Sequence, residues 1–370
     1  MTSAPSPRGR FLAKVGLAAI AICIALGVCE LGARLIFPPP PIASREPQIG
    51  YLSDPEIRYV MAPSQIGWID DGSTTINSLG FRGPEFAVPK PPGRFRVAFI
   101  GDSLTLGWGV ADNETFAARL EVLLRERFPN RDLDVVNLGV GGYDTRQEVT
   151  LLARNVSRLA PDLVLVGFYS NDVPEALDDD RSSPGNGPGM MPADPKTGQL
   201  MHMNPTPTGW WDRQLRKSRA VYVAGRAFNR WRGAGEWGMA RLRMEIDMLE
   251  GHDSAKLDRA WSQVGLQFGR LHALADAQNF GVGVVVLPPR EQVMGQYSHS
   301  KYQSRVRAIV APLGFHVIDP LPLMIENGKP DLFIPYDRNH PSAGGHELIA
   351  RAILRYLDEH RMVPPAASGK

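Results

Sequence analysis

The chain has 370 residues, a formal net charge of +2 and a hydrophobic fraction of 43%. Those values exclude a disordered chain and a strongly basic nucleic-acid binder. Its two cysteines, Cys23 and Cys29, fall together near the N-terminus, so the remainder carries neither a disulfide framework nor a cysteine-based metal site.

The first element is apolar. Arg8, Arg10 and Lys14 precede Val15 to Cys29, which lacks charge, and Leu31 to Phe37 extends the run past Glu30 and Arg34. Residues 11 to 37, as a helix, are long enough to span a bilayer. Glu30 and Arg34 stand at i and i+4 and can pair on one helix face. A secretory signal peptide is the competing reading. No small-x-small cleavage site follows the run, however, and bulky Val28 before Cys29 argues against lipoprotein processing. An uncleaved transmembrane anchor over residues 1–40 is expected, with its basic residues holding the N-terminus in the cytoplasm and everything after residue 40 exported.

Pro38 to Pro41 ends this helix and opens a segment over 41–93, with "NSLGFRGPE" and "PKPPGRFR", that shows no strong strand or helical period. It reads as a linker wrapping onto the domain that follows. From Arg94 short apolar runs alternate with amphipathic ones. Strands are expected at Arg96–Ile100, Asp134–Leu138, Leu163–Phe168, Val282–Leu287 and His316–Asp319. Phe116, Leu120, Leu123 and Leu124 keep helical spacing between the first two. "TRQE" (Thr145 to Glu148) reads as a capping box before Val149, Leu152, Val156 and Leu159. Leu348, Ile349, Ile353, Leu354 and Leu357 line a final helix. Such alternation predicts an α/β fold with a doubly wound parallel sheet.

The alternation breaks at an insertion over about 174–257. Residues 181–209 are dense in Pro, Gly, Ser and Asn, which predicts a mobile, protease-sensitive excursion. "WWDRQLRKSRAVYVAGRAFNRWR" then carries seven Arg or Lys residues against Asp212 alone. It reads either as a solvated surface helix, or as a cap over the site or a face touching anionic lipid or acidic polymer near the membrane.

Four short blocks carry the chemistry. The run "VAFIGDSLT" brings a buried strand to Gly101, Asp102 and Ser103, and open α/β sheets place their sites at such strand ends. Ser103 reads as a turn former or as a nucleophile. In "YDRNHPSAGGH", Asp337 and His340 are three residues apart, close enough for the carboxylate to fix the imidazole tautomer. In "GVGGYD", Gly141 and Gly142 let a backbone N–H approach a ligand closely, ahead of a helix N-terminus. In "YSNDV", the Asn171 amide lies at the same sheet edge. Backbone donors plus an amide are what a tetrahedral oxyanion requires.

"GDSLT", "NLGVGGYDT", "SNDV" and "DRNHP", in that order and at those strand ends, resemble the SGNH (GDSL) hydrolase family over residues 94 to 360. The resemblance implies a three-layer, flavodoxin-like fold with a five-stranded parallel sheet. It also implies Ser103 as nucleophile and backbone oxyanion donor, Gly142 and Asn171 as further donors, His340 as general base and Asp337 as its orienting acid. Tyr169 departs from the family pattern, standing where a glycine is usual. The activity implied is ester hydrolysis through an acyl-enzyme, with no metal or organic cofactor.

Exported and tethered to an inner membrane, such a domain (94–362, with a tail over 363–370) would sit in the periplasm and meet esters such as O-acetylated envelope polysaccharide. O-acyl transfer by the same residues, or a non-catalytic envelope assembly role, are the alternatives. Nothing in the sequence points to a nucleic-acid partner.

Overall fold

The computed structural model describes residues 7–37, 45, 47–177, 215, 218–233, 236–297, 301–327, 330–335, 337 and 339–364. The expectations for 181–209 and for the Pro38–Pro41 stop lie outside the described residues. The chain divides into two units, residues 1–43 with 207–235, and residues 44–206 with 236–370.

In the first unit, α1 (Pro7–Ile36) contains Ala13–Ile36, the one described helix long and apolar enough to cross a bilayer, a property that a signal sequence shares. Glu30 and Arg34 pair at 2.8 Å, as their spacing predicts. Glu30 also accepts hydrogen bonds from Ser218 Oγ at 2.6 Å and from the Ala220 N–H at 3.0 Å, at the start of the helix Arg219–Gly233. Cys23 and Cys29 are free thiols.

The second unit opens with two antiparallel hairpins, where the sequence suggested an irregular wrapping segment. Strands β1 (Tyr51–Asp54) and β2 (Arg58–Met61) form one, and β3 (Gln65–Ile69) and β4 (Gly72–Ile76) the other. Asp54 Oδ1 accepts the Glu56 and Ile57 N–H groups and so builds the first turn. Tyr51, Tyr59, Met61, Ile69 and Ile76 are buried in the core beside the main sheet.

That sheet has five parallel strands, β5 (Phe95–Gly101), β6 (Leu133–Asn137), β7 (Leu163–Phe168), β8 (Gly281–Val286) and β9 (His316–Ile318), in the order β6-β5-β7-β8-β9. Each lies within one residue of its expected bounds. Parallel strands covered on both faces read as near-continuous apolar runs, and β5 and β7 are buried throughout.

Alternate residues of β5 serve opposite layers. Val97 and Phe99 join a core with Phe116, Leu120 and Leu124 of α3 (Phe116–Arg127) and with Ile349, Ile353 and Leu357 of the final helix. Ala98 and Ile100 join another with Val149, Leu152 and Val156 of α4 (Thr145–Leu159). Each large side chain so buried contributes about 1.5–3 kcal/mol. Leu120→Ala would therefore cost roughly 2–5 kcal/mol through the cavity it leaves.

The cap of α4 lies one residue earlier than "TRQE" suggests. Asp144 is the N-cap and accepts the Gln147 N–H at 2.8 Å, while Gln147 Oε1 accepts the Asp144 N–H at 3.1 Å. Thr145 is thereby freed to donate to Asp172 Oδ1 at 3.3 Å. Between β7 and β8 stand α5 (Asp172–Glu175) and α6 (Glu236–Glu250). Then α7 (Ala255–Gln278) returns the chain to the layer that holds α4, with Val264, Phe268 and Leu271 buried, and α8 (Lys301–Val310) follows β8. The chain ends on α9 (Ala343–Glu359), the final helix named above.

Candidate active site

Strand β5 delivers Gly101 and Asp102 into α2 (Ser103–Leu106), a single turn packed against the sheet. A Cβ on Gly101 would lie 2.0 Å from Thr105 Oγ1, so glycine is required for α2 to sit this close. The cap belongs to fully buried Asp102, whose Oδ1 accepts the Leu104 N–H at 2.8 Å. Burial holds the Asp102 carboxyl above its ordinary range, against hydrogen bonds from Leu104 and Asn171 and the charge of His340. With capping done by Asp102, the Ser103 hydroxyl is left for another partner.

That partner is His340, whose Nε2 lies 2.8 Å from Ser103 Oγ. Its Nδ1 lies 2.8 Å from Asp337 Oδ2. Burial pushes the Asp337 carboxyl up, but its bond to His340, the imidazole charge, and the Asn339 and His340 N–H groups outweigh this and hold it at about 2. An ionised carboxylate can only accept, so Nδ1 carries the ring proton in neutral imidazole and Nε2 offers its lone pair to the Ser103 hydroxyl.

The loop is fixed on both sides. Ile334 N–H donates to His340 O at 3.0 Å, and Ser342 N–H to Leu332 O at 2.9 Å. Trp108 stacks on the imidazole with ring centroids 5.7 Å apart at 27°. The sequence blocks assigned no role to Trp108, nor to a second, buried histidine at the end of "YDRNHPSAGGH". That second histidine, His346, is fully buried, accepts the Phe116 N–H at 3.1 Å and is kept neutral by burial, down to about 3.

Two loops from neighbouring strands face the same end of the sheet. After β6, Val140 N–H donates to Gly101 O at 3.0 Å, and Gly142 adopts a φ of +73°, which glycine tolerates. Neither the Ser103 N–H nor the Gly142 N–H donates to another described residue. After β7, Asn171 Nδ2 lies 3.2 Å from Asp102 Oδ2 and 3.5 Å from Glu175 Oε2. Its Oδ1 is buried without a hydrogen-bond partner.

Tyr169, the departure from the family pattern, turns its ring into the core that holds α3 and donates its N–H to Asp172 Oδ2 at 2.9 Å. Where the resemblance leads glycine to be expected, this chain places a core residue. Glu175 in turn pairs with Arg241 of α6 at 2.7 Å. Nearby Glu245 is pushed up to about 7 by burial, with Arg241 opposing and Glu291 adding to the shift. No motif announced Glu175, Arg241 or Glu245.

The fold and this arrangement define a hydrolase of the open parallel-sheet type. Residues 99–348 match the model of the GDSL-like lipase/acylhydrolase family, more than half of the chain, and the chain belongs to that family of SGNH-type ester hydrolases.

Several solved structures are similar in fold. TesA is 13% identical, covering 71% of this chain and 98% of its own, with a TM-score of 0.41. LAE5, an alpha/beta hydrolase from the metagenome of Lake Arreo, is 17% identical, covering 73% and 95%, with a TM-score of 0.40. A catalytic mutant of Axe2, an acetylxylan esterase from Geobacillus stearothermophilus, is 18% identical, covering 70% and 93%, with a TM-score of 0.39. No curated protein matches the chain.

Proposed function

We propose that the chain hydrolyses a carboxylic ester through an acyl-enzyme on Ser103. The observation that carries the reading is the 2.8 Å separation of His340 Nε2 from Ser103 Oγ, with Asp337 2.8 Å behind the ring. His340 takes the hydroxyl proton as Ser103 Oγ bonds to the ester carbon, whose oxygen becomes the oxyanion. The N–H groups of Ser103 and Gly142 receive that charge. Asn171 adds a third donor by releasing its long 3.5 Å contact with Glu175 while keeping Asp102. Collapse expels the alcohol with the proton held by His340. A water then gives its proton to His340, attacks the acyl carbon and frees the acid and Ser103.

The anchor reading of α1 puts this domain on the outer side of the inner membrane, tethered by residues 1–40. An O-acetylated envelope glycan is then the substrate class best suited to it. Purified full-length protein should hydrolyse short acyl esters, and Ser103→Ala should lose roughly 10⁴-fold or more in kcat. Full activity in Ser103→Ala would refute the reading.

A further inference from the structure

Tyr59 lies on β2, in the segment that the sequence presented as a linker. It is buried, and its phenol donates to Gly141 O at 2.8 Å. The carbonyl of Gly141 and the N–H of Gly142 belong to one planar peptide unit and point in opposite directions. A donor that fixes the carbonyl therefore fixes the direction of the N–H. It also polarises the peptide and makes that N–H a stronger donor.

We propose that Tyr59 is a positioning residue for ester hydrolysis, aiming and polarising the Gly142 N–H through the Gly141 carbonyl. The inference rests on the assignment of Gly142 as an oxyanion donor.

Four further observations support it. The Gly142 backbone sits so close to the phenol that a Cβ there would lie 2.8 Å from Tyr59 Oη. Tyr59 is itself held by ring packing: its ring lies 5.4 Å from that of Tyr143, fully buried in the same loop, a contact that Tyr143→Phe keeps, while the Tyr143 hydroxyl bonds only to the main-chain carbonyl of Tyr59. Burial raises the Tyr59 phenol well above the ordinary tyrosine range, so it stays a donor at any working pH. The Gly142 N–H has no acceptor among the described residues. The hydrogen bond of Tyr59 thus leaves the donor end of the peptide available to a ligand.

The test compares Tyr59→Phe with Tyr143→Phe in the full-length protein on a short p-nitrophenyl ester. Each variant deletes one buried hydroxyl of the same ring pair, but only the first touches the 141–142 peptide. Stoichiometric titration by an organophosphonate counts competent sites, so partial unfolding lowers the count and not kcat per site. Loss of a whole oxyanion donor lowers kcat by about 10²–10³-fold, and mis-aiming one should lower it by roughly tenfold with KM within about twofold. Tyr143→Phe should keep kcat per site within about twofold. An unchanged kcat in Tyr59→Phe, or an equal fall in both variants, would overturn the inference while leaving Ser103 chemistry standing. An active Ser103→Ala would overturn the esterase reading and this inference with it.

Discussion

Two regions interrupt the strand-helix alternation, the N-terminal hairpins and the excursion between β7 and β8, and they attach to the domain by different means. The hairpin region holds the site through fully buried groups that bond to backbone. Arg82, just after β4, is buried and donates to Leu106 O at 2.9 Å, Gly107 O at 2.6 Å and Val110 O at 2.7 Å, with Asp112 at 2.9 Å as its counter-charge. Those carbonyls follow directly on the α2 turn that carries Ser103. Tyr59 holds the facing loop in the same way.

The excursion, by contrast, meets the site through side-chain pairs on α6. Arg241 and Glu175 stand 2.7 Å apart, and both remain about one-fifth exposed. A region can look like a linker in composition and still complete an active site. What separates the two is whether its polar groups are buried against main chain.

The largest expected effect that would break this contrast is at Arg82. Arg82→Met takes the counter-charge from Asp112 and a hydrogen-bond donor from the Ser73, Leu106, Gly107 and Val110 carbonyls, a change of roughly 3–5 kcal/mol. Chemical denaturation should show that loss, with esterase activity falling alongside the folded fraction. Arg241→Met should cost only about 1 kcal/mol, since its partner keeps access to water. Equal losses in the two variants would erase the distinction.

A smaller effect sharpens it through pH. Burial raises Glu245 from its ordinary value to about 7, so the folded state holds a proton that the unfolded state releases near 4.5. Stability from this group is present below about 4.5 and is lost as pH rises to about 7, on the order of 3 kcal/mol in total. Glu245→Gln should therefore melt higher than the parent at pH 8 and equally at pH 4. A pH-independent difference would contradict it.

The smallest effect is at the rim of the first hairpin. Arg154 of α4 reaches Asp54 at 2.8 Å and also contacts Glu56, but all three side chains are solvent-accessible. Arg154→Gln should shift stability by less than about 1 kcal/mol, and the shift should vanish in high salt.

The parallel sheet was legible because its strands are buried on both faces and appear as uninterrupted Val, Leu and Ile runs. Three of the site blocks were legible because each follows such a strand within a few residues, and the fourth because Asp337 and His340 stand three residues apart just ahead of the final helix. The hairpins were hidden for physical reasons. Their strands are four or five residues long, and their turns place Arg58 and Asp70 at positive φ. Neither turn has an Asn-Gly, Asp-Gly or Gly-Gly pair at its two central positions, since Asp71–Gly72 lies one residue past the centre of the second turn. The α4 cap was misplaced by one residue because Asp144 and Thr145 are both good caps, and only the demand of Asp172 for a hydroxyl donor decides between them. Tyr59, Arg82 and Arg241 touch the site from segments far away in sequence, and no spacing rule connects them to it.

In the proposed mechanism Ser103, paired with His340, carries the acyl group. The direct measurement is mass spectrometry of the full-length protein after reaction with an organophosphonate, followed by peptide mapping. One adduct per chain is expected, on Ser103, formed in step with loss of esterase activity and almost absent in His340→Ala. An adduct on another residue, or complete inactivation with Ser103 unmodified, would contradict it.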